Sequence, residues 1–311
     1  MGPFFVTLVA AAVLLFTAVP GYLMIKKKML SERCMPDLSK ILLYVCQPCL
    51  VIYAFSSATF SLKKLVEVGL FVLLALVIQG VMLGLAVLVL HRKFKDTAYR
   101  IISIATTFAN CGFFGIPIIE ALMPDVASEV IIFTTVYALT MNVLGWTVAS
   151  AIISGDTRYI SVKKILINPA MISTLIALPI FALSVSFPTE LESMITIIGR
   201  MSTPISMFIM GMRLASTELK SVFCSPRCYA ACAMKLFVMP LLAFLLALAL
   251  PIATEVKQTF FIVTACPSAS IVLNFSELVG KGQREAAGMV LLTTILSVVS
   301  LPIMMLFLPL L

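Results

Sequence analysis

The chain has 311 residues, of which 61% are hydrophobic and 12% are charged, and its mean hydropathy is +1.14. A composition this apolar excludes a soluble domain of any size. The formal net charge of +8 comes from cations scattered over short polar segments. A nucleic-acid partner would need a basic patch on a folded surface, so we expect none.

Ten segments of the chain are apolar, nearly free of charge and long enough to cross a bilayer as helices. They are 1–25, 41–62, 68–90, 101–119, 130–155, 165–189, 193–212, 236–254, 258–276 and 286–311. The sequence therefore predicts an all-α membrane protein with ten transmembrane helices, numbered one to ten in this order.

Basic residues concentrate in alternate gaps between these helices. Most of the 22 Lys and Arg residues lie in the odd-numbered gaps, which are 26–40, 91–100, 156–164, 213–235 and 277–285. Lys and Arg accumulate in loops on the cytoplasmic side of a membrane. We therefore expect a multi-pass protein of the plasma membrane, in contact with lipid, with its N-terminus and C-terminus outside.

Prolines repeat between the two halves of the chain. Pro20, Pro48 and Pro117 in helices one, two and four have counterparts in Pro179, Pro204 and Pro267 in helices six, seven and nine. Five helices per half is an odd number, so the second half enters the membrane from the opposite side. The sequence predicts one transmembrane transporter domain, 1–311, made of inverted repeats 1–155 and 156–311. Secondary transporters are often built this way, with the substrate site where broken helices meet.

Helices four and nine are the predicted broken helices. Helix four contains NCGFFGIP, in which proline removes a backbone donor and glycine permits unusual dihedral angles. Helix nine carries Pro267 at the corresponding position. Half-helices that start in mid-membrane direct free amides and a positive dipole end toward an anion.

Each broken helix also has a polar face, formed by residues three, four or seven positions apart. We predict that the substrate contacts these faces and the breaks, and that one glycine and two prolines form the crossover. The substrate-binding candidates are Asn110, Thr106, Gly112, Ser270, Asn274 and Arg200, and the crossover candidates are Gly115, Pro117 and Pro267.

Ionisable side chains inside the predicted spans are functional candidates because burying them is costly. Arg200 would either clamp a substrate carboxylate or pair with Glu120 or Glu67, and both alternatives stay open. Glu120 and Glu277 are candidates for proton coupling. We expect Lys235 to extend its ammonium group toward the inner interface.

The eight cysteines do not indicate a metal centre. Cys46 and Cys49 form a CQPC pair, and Cys224, Cys228 and Cys232 share one helix face. With no neighbouring histidine, both sets are typical of buried thiols. We expect no metal and no cofactor, while coupling to H⁺ or Na⁺ stays open.

Four segments resemble the auxin efflux carrier family, including its bacterial members described as permeases or malonate transporters. They are NCGFFGIP, INPAMISTLIALPI, TPISMFIMGMRLA and PSASIVLNFSELVG. The resemblance implies a ten-helix fold of the sodium/proton-antiporter type that carries organic anions by an elevator-like movement. By motif it assigns binding to Asn110 and the crossover to Pro117 and Pro267. The chain lacks the long hydrophilic central loop of many plant members, which favours a small carboxylate over auxin.

Besides a carrier of small organic anions, three other functions are alternatives for this sequence. A sodium-coupled bile-acid-type symporter would share the fold, and a ligand sensor of the same fold would bind without transporting. An intramembrane enzyme is disfavoured because the chain has no HExxH motif, no pair of mid-span aspartates and no serine with a histidine partner in a span. We therefore predict that the protein is not an enzyme. A homodimer is an open alternative for its oligomeric state.

Overall fold

A computed structural model describes residues 2–156, 158, 160, 162–217 and 226–311. In this part of the chain the regular structure is helical, with a single isolated β-bridge. The principal helices are α1 (Pro3–Lys26), α2 (Cys34–Ser56), α3 (Leu62–Lys93), α4a (Thr97–Ala105), α4b (Cys111–Leu122), α5 (Ala127–Ser154), α6 (Pro169–Ala182), α7 (Thr189–Ser216), α8 (Cys228–Leu248), α9a (Thr254–Ala265), α9b (Ile271–Val279) and α10 (Gln283–Leu310).

Seven helices of the described chain are long and apolar enough to cross a membrane: α1, α2, α3, α5, α7, α8 and α10. Helix α6 is apolar but shorter. The remaining two predicted spans, helices four and nine, are each divided into two short helices. The protein is thus an all-α integral membrane protein, as the composition predicts.

Proline widens several helices instead of ending them. The turns Leu42–Cys46 in α2 and Met234–Val238 in α8 are π-helical, and each lies just before a proline, Pro48 or Pro240. A proline ring clashes with the carbonyl of the preceding turn and supplies no amide hydrogen. A wider turn accommodates the ring, so the helix continues across it.

The helices pack in two groups. Helix α2 packs against α6 and α7, and the second part of α1, Val19–Lys26, also packs against α7. In the other group, α3, α5, α8 and α10 surround the four short helices α4a, α4b, α9a and α9b. The first part of α1, Pro3–Phe16, packs against α10, so α1 joins the two groups.

Helices α1 and α7 approach so closely that their contact requires glycine. A Cβ atom added to Gly211 would collide with the carbonyl oxygen of Ala18, and one added to Gly21 would collide with that of Phe208. Small residues at such contacts are the usual means by which membrane helices gain van der Waals packing.

Candidate functional site

The two broken helices meet at their breaks. Ala109 and Ser268 form an antiparallel bridge. The amide of Asn110 donates to the carbonyl of Pro267 at 2.8 Å, and the amide of Ala269 donates to the carbonyl of Phe108 at 3.0 Å. Extended backbone at membrane depth is tolerated only where its polar groups find partners. Each break therefore supplies hydrogen-bond partners to the other.

The unwound backbone of helix four lies before the glycines and not at them. Helix α4a ends at Ala105, whereas residues 111–115 already form a π-helical turn of α4b. Pro117 follows this turn as Pro48 and Pro240 follow theirs, so the wider turn accommodates its ring and the helix continues across it. The crossing is consequently made by Ala109 and Asn110 in the first half and by Pro267 and Ser268 in the second.

A cavity of about 600 Å³ lies beside this crossing, between the two groups of helices. Four predicted binding residues line it: Asn110 and Gly112 from the first break, and Ser270 and Asn274 from the second. The structure therefore brings together side chains that are far apart in the sequence. Helices α4b and α9b both start at the cavity with the positive ends of their dipoles, although some first-turn amides already have acceptors, since Cys111 donates to Ala109 and Val272 to Ala269.

Asn110 has an unsatisfied donor at this place. Its side chain is 4% exposed, and its Nδ2 atom has no hydrogen-bond partner in the described chain. Most buried polar atoms are paired, so an unpaired one beside a cavity points to a ligand or a water molecule. This atom has almost no accessible surface, so the Nδ2 group would donate to an oxygen atom in the cavity once the side chain turns toward it.

The charges that line the cavity have one sign. Lys163 and Arg213 are among its described lining residues, and none of these lining residues is Asp or Glu. The Arg213 guanidinium lies 3.8 Å from Glu277, whose side chain is 56% exposed and does not line the cavity. The cavity thus combines two cations, a free amide donor and two helix N-termini, which suits an anion.

Two of the predicted binding residues lie elsewhere. Thr106 is fully buried and its hydroxyl donates to the carbonyl of Ser103 at 2.7 Å. Arg200 does not line the cavity and forms an ion pair with Glu120 at 3.1 Å. Its guanidinium also lies over the ring of Tyr53, 5.6 Å from the centroid. Of the two alternatives for Arg200, this arrangement corresponds to pairing with Glu120 and not to a clamp on the substrate.

The crossover candidates lie behind the cavity wall and do not line it. Gly115 packs so tightly that an added Cβ would lie 3.2 Å from the sulfur of Cys266. Pro267 is in the crossing itself. The expectation that Lys235 extends to the interface is wrong, because its side chain is 0% exposed and donates to a backbone carbonyl in the interior.

Several cavity residues were missed in the sequence. Helix α5 contributes Thr134, Thr135 and Asn142, and Asn168 before α6 donates to the Oδ1 atom of Asn142 at 3.2 Å. Thr135 and Asn142 are seven residues apart, which puts them on one face of a helix. That spacing was a usable indication of a third polar face.

The cysteines of the described chain are free thiols, and no group of three potential metal ligands occurs among the described residues. Cys46 and Cys49 carry no disulfide. Cys224, which was predicted to share a face with Cys228 and Cys232, lies outside the described residues.

A comparison with protein families identifies the chain. The family model described as "Membrane transport protein" matches residues 6–305, nearly the whole length. The chain belongs to this family. This family is the auxin efflux carrier family, so the resemblance of the four segments to it is confirmed. None of the curated proteins compared with the chain matches it.

Membership establishes a role in membrane transport for this family member. It also supports the interpretation that the protein is not an enzyme, since proteins of this family are transporters. The crossing, the cavity and its cations are therefore candidates for the transport site.

Proposed function

We propose that this membrane transport protein is a secondary carrier of small organic anions, such as mono- or dicarboxylates, that works by alternating access. The observation that carries the proposal is the cavity at the crossing. Asn110, whose Nδ2 atom is unpaired, lines it together with two cationic side chains, and there is no acidic residue among its described lining residues. A carboxylate would accept from Asn110 and be attracted by Arg213 and Lys163.

The topology that we propose has ten spans in two inverted repeats, 1–155 and 156–311, within one domain. The seven long helices, the shorter α6 and the divided segments α4a–α4b and α9a–α9b together give this number. The matching breaks in helices four and nine support the repeat, and the fold would be of the sodium/proton-antiporter type.

The cavity indicates which way the transporter faces. Ser39, Lys163 and Arg213, which line it, belong to helix ends beside the Lys- and Arg-rich gaps. Lys163 is exposed, so the cavity reaches the surface at this end. With the basic gaps in the cytoplasm and both termini outside the plasma membrane, as we propose, these positions support an inward-facing state.

Uptake of labelled mono- and dicarboxylates into proteoliposomes tests the proposal. Asn110→Ala removes the unpaired donor and should lower the rate at subsaturating substrate by about tenfold, which corresponds to one hydrogen bond to a charged group. Ser300→Ala is the matched control, because Ser300 is also buried with an unpaired polar atom but lies away from the cavity. If no carboxylate is transported under any ion gradient, or if the two variants behave alike, the proposal is wrong.

The same measurement separates the alternatives. An absolute requirement for Na⁺ would identify a sodium-coupled symporter of the bile-acid type. Binding of a carboxylate without uptake would identify a sensor.

A further inference from the structure

Lys235 is a buried cation that the proposed anion site does not use. It lies in the π-helical turn Met234–Val238 of α8 and is among the largest fully buried side chains of the described chain. Lys235 does not line the cavity. A lysine in such a place is expensive, because its ammonium group gives up hydration.

No carboxylate of the described chain forms an ion pair with Lys235. The ammonium donates to the carbonyl of Thr264 at 3.1 Å and contacts the sulfur of Met239 at 3.2 Å. The titratable groups near it are the thiols of Cys266 and Cys111, which carry no charge. The partners of this cation are thus a backbone carbonyl and sulfur atoms.

The carbonyl of Thr264 has no backbone amide as its partner because the helix breaks. Helix α9a ends at Ala265, so Thr264 lies in its last turn. In a continuous helix the amide of Ser268 would donate to this carbonyl, but it donates instead to the hydroxyl of Thr293 at 3.0 Å. Lys235 therefore caps the carbonyl end of a half-helix, where the helix dipole is negative.

The corresponding end of α4a is satisfied by neutral groups. The carbonyl of Ala105 accepts from the hydroxyl of Ser268 at 2.7 Å, and that of Phe108 accepts from the amide of Ala269. Of the two half-helix ends at the crossing, the one at α9a is therefore the end that carries a cation.

In transporters with broken helices, such carbonyl ends and unwound backbone are where coupling cations such as Na⁺ bind. We propose that Lys235, in its ammonium form, occupies this place, so that the crossing holds a covalently attached cation where a dissociable Na⁺ would otherwise bind. The consequence of this inference for transport rests on the proposed function. It predicts that the crossing reaches its stable, anion-accepting form without Na⁺.

Thermal unfolding of the detergent-purified protein tests this without any transport measurement. The unfolding midpoint should be the same in NaCl and in N-methyl-D-glucamine chloride at equal concentration. A saturable rise of the midpoint with Na⁺ would show a dissociable cation site and overturn the proposal.

Chemical rescue provides a second test. Lys235→Ala removes a propylammonium group and should lower the midpoint, and added propylammonium chloride should restore about 2–4 °C of the loss. Lys95→Ala, which removes an exposed loop lysine, should show neither effect. If 1-propanol restores the midpoint as well as propylammonium does, the side chain acts by filling space and the proposal fails.

The outcome does not depend on the substrate. If Lys235→Ala does not fold, the comparison of Na⁺ with N-methyl-D-glucamine on the unaltered protein still decides. A failure of carboxylate uptake together with Na⁺-independent stability would count against the transport proposal and leave the assignment of Lys235 standing.

Discussion

The hydrogen bonds between the two breaks should contribute more to stability than ordinary side-chain hydrogen bonds in a membrane helix. Ser268 is fully buried, and its hydroxyl donates to the carbonyl of Ala105 at 2.7 Å. Ala105 is the last residue of α4a, so its carbonyl faces extended backbone and not a further turn. Ser268→Ala would leave this carbonyl without its partner in the interior.

The expected cost follows from that geometry. An unsatisfied buried acceptor costs about 1–3 kcal/mol, whereas hydrogen bonds between side chains of membrane helices average about 0.6 kcal/mol. The carbonyl of Ala105 lies at the end of α4a, and no backbone amide of the described chain donates to it. We therefore expect Ser268→Ala to lower the free energy of unfolding by about 1–2 kcal/mol.

Ser297→Ala is the matched control. Ser297 is also fully buried, and its hydroxyl donates at 2.7 Å to the carbonyl of Thr294 in the same regular helix. That carbonyl keeps its helical position when the hydroxyl is lost, so the cost should be below about 0.5 kcal/mol.

A thiol-reactive fluorophore provides the assay, because Cys111 and Cys266 are buried free thiols beside the crossing. The midpoint of thermal unfolding should fall by about 1.5–3 °C in Ser268→Ala and hardly change in Ser297→Ala. Equal midpoints for the two variants would refute the idea that the breaks stabilise each other through these bonds.

Two further variants test the packing and the charge of the cavity. Gly211→Ala should lower the free energy of unfolding by about 1–3 kcal/mol, because the new methyl group meets the carbonyl of Ala18. Gly80→Ala, where an added Cβ meets nothing within 4 Å, should not destabilise the protein when both are compared by thermal unfolding. Arg213→Gln should raise the KM for carboxylate uptake by roughly tenfold, since it removes a half-buried cation that lines the cavity. An unchanged KM at low ionic strength would mean that Arg213 does not attract the substrate.

The membrane character and the two broken helices could be predicted because their indications are local. Long segments without charged residues indicate helices that lie in the hydrocarbon of a bilayer. Proline and glycine within such a segment predict a break in its helix. The polar faces of helices four and nine were also visible in the spacing of Asn110, Ser270 and Asn274. These three residues line the cavity in the structure.

The predicted crossover residue Pro267 takes part in the crossing, but the position of the crossing in the first half could not be predicted from side chains. It consists of backbone bonds between Phe108–Asn110 and Pro267–Ala269, and a backbone group has the same chemistry at every residue. Pro117 was predicted to be a crossover residue because proline is the strongest helix breaker in this segment. Pro117 lies inside α4b, after a π-helical turn that accommodates its ring, and the unwound residues precede that turn.

Burial of Lys235 was missed for a related reason. Near the end of an apolar helix, a lysine ordinarily reaches the polar interface along its flexible chain. Whether it turns inward depends on a free acceptor elsewhere, here the carbonyl of Thr264 on another helix. No sequence pattern around residue 235 indicates that this acceptor exists.

The contrast between the crossing and the ion pairs of α7 suggests which contacts change during transport. Arg200 pairs with Glu120 on α4b, and Arg213 pairs with Glu277 on α9b, so α7 is tied to the second half of each broken helix. These side chains are partly exposed, and such pairs contribute about 0–1 kcal/mol each. The bonds at the crossing are buried and costly to break. A displacement of the broken helices past α7 would therefore break the weak pairs first and leave the crossing intact, which is the division that alternating access between two rigid groups of helices requires.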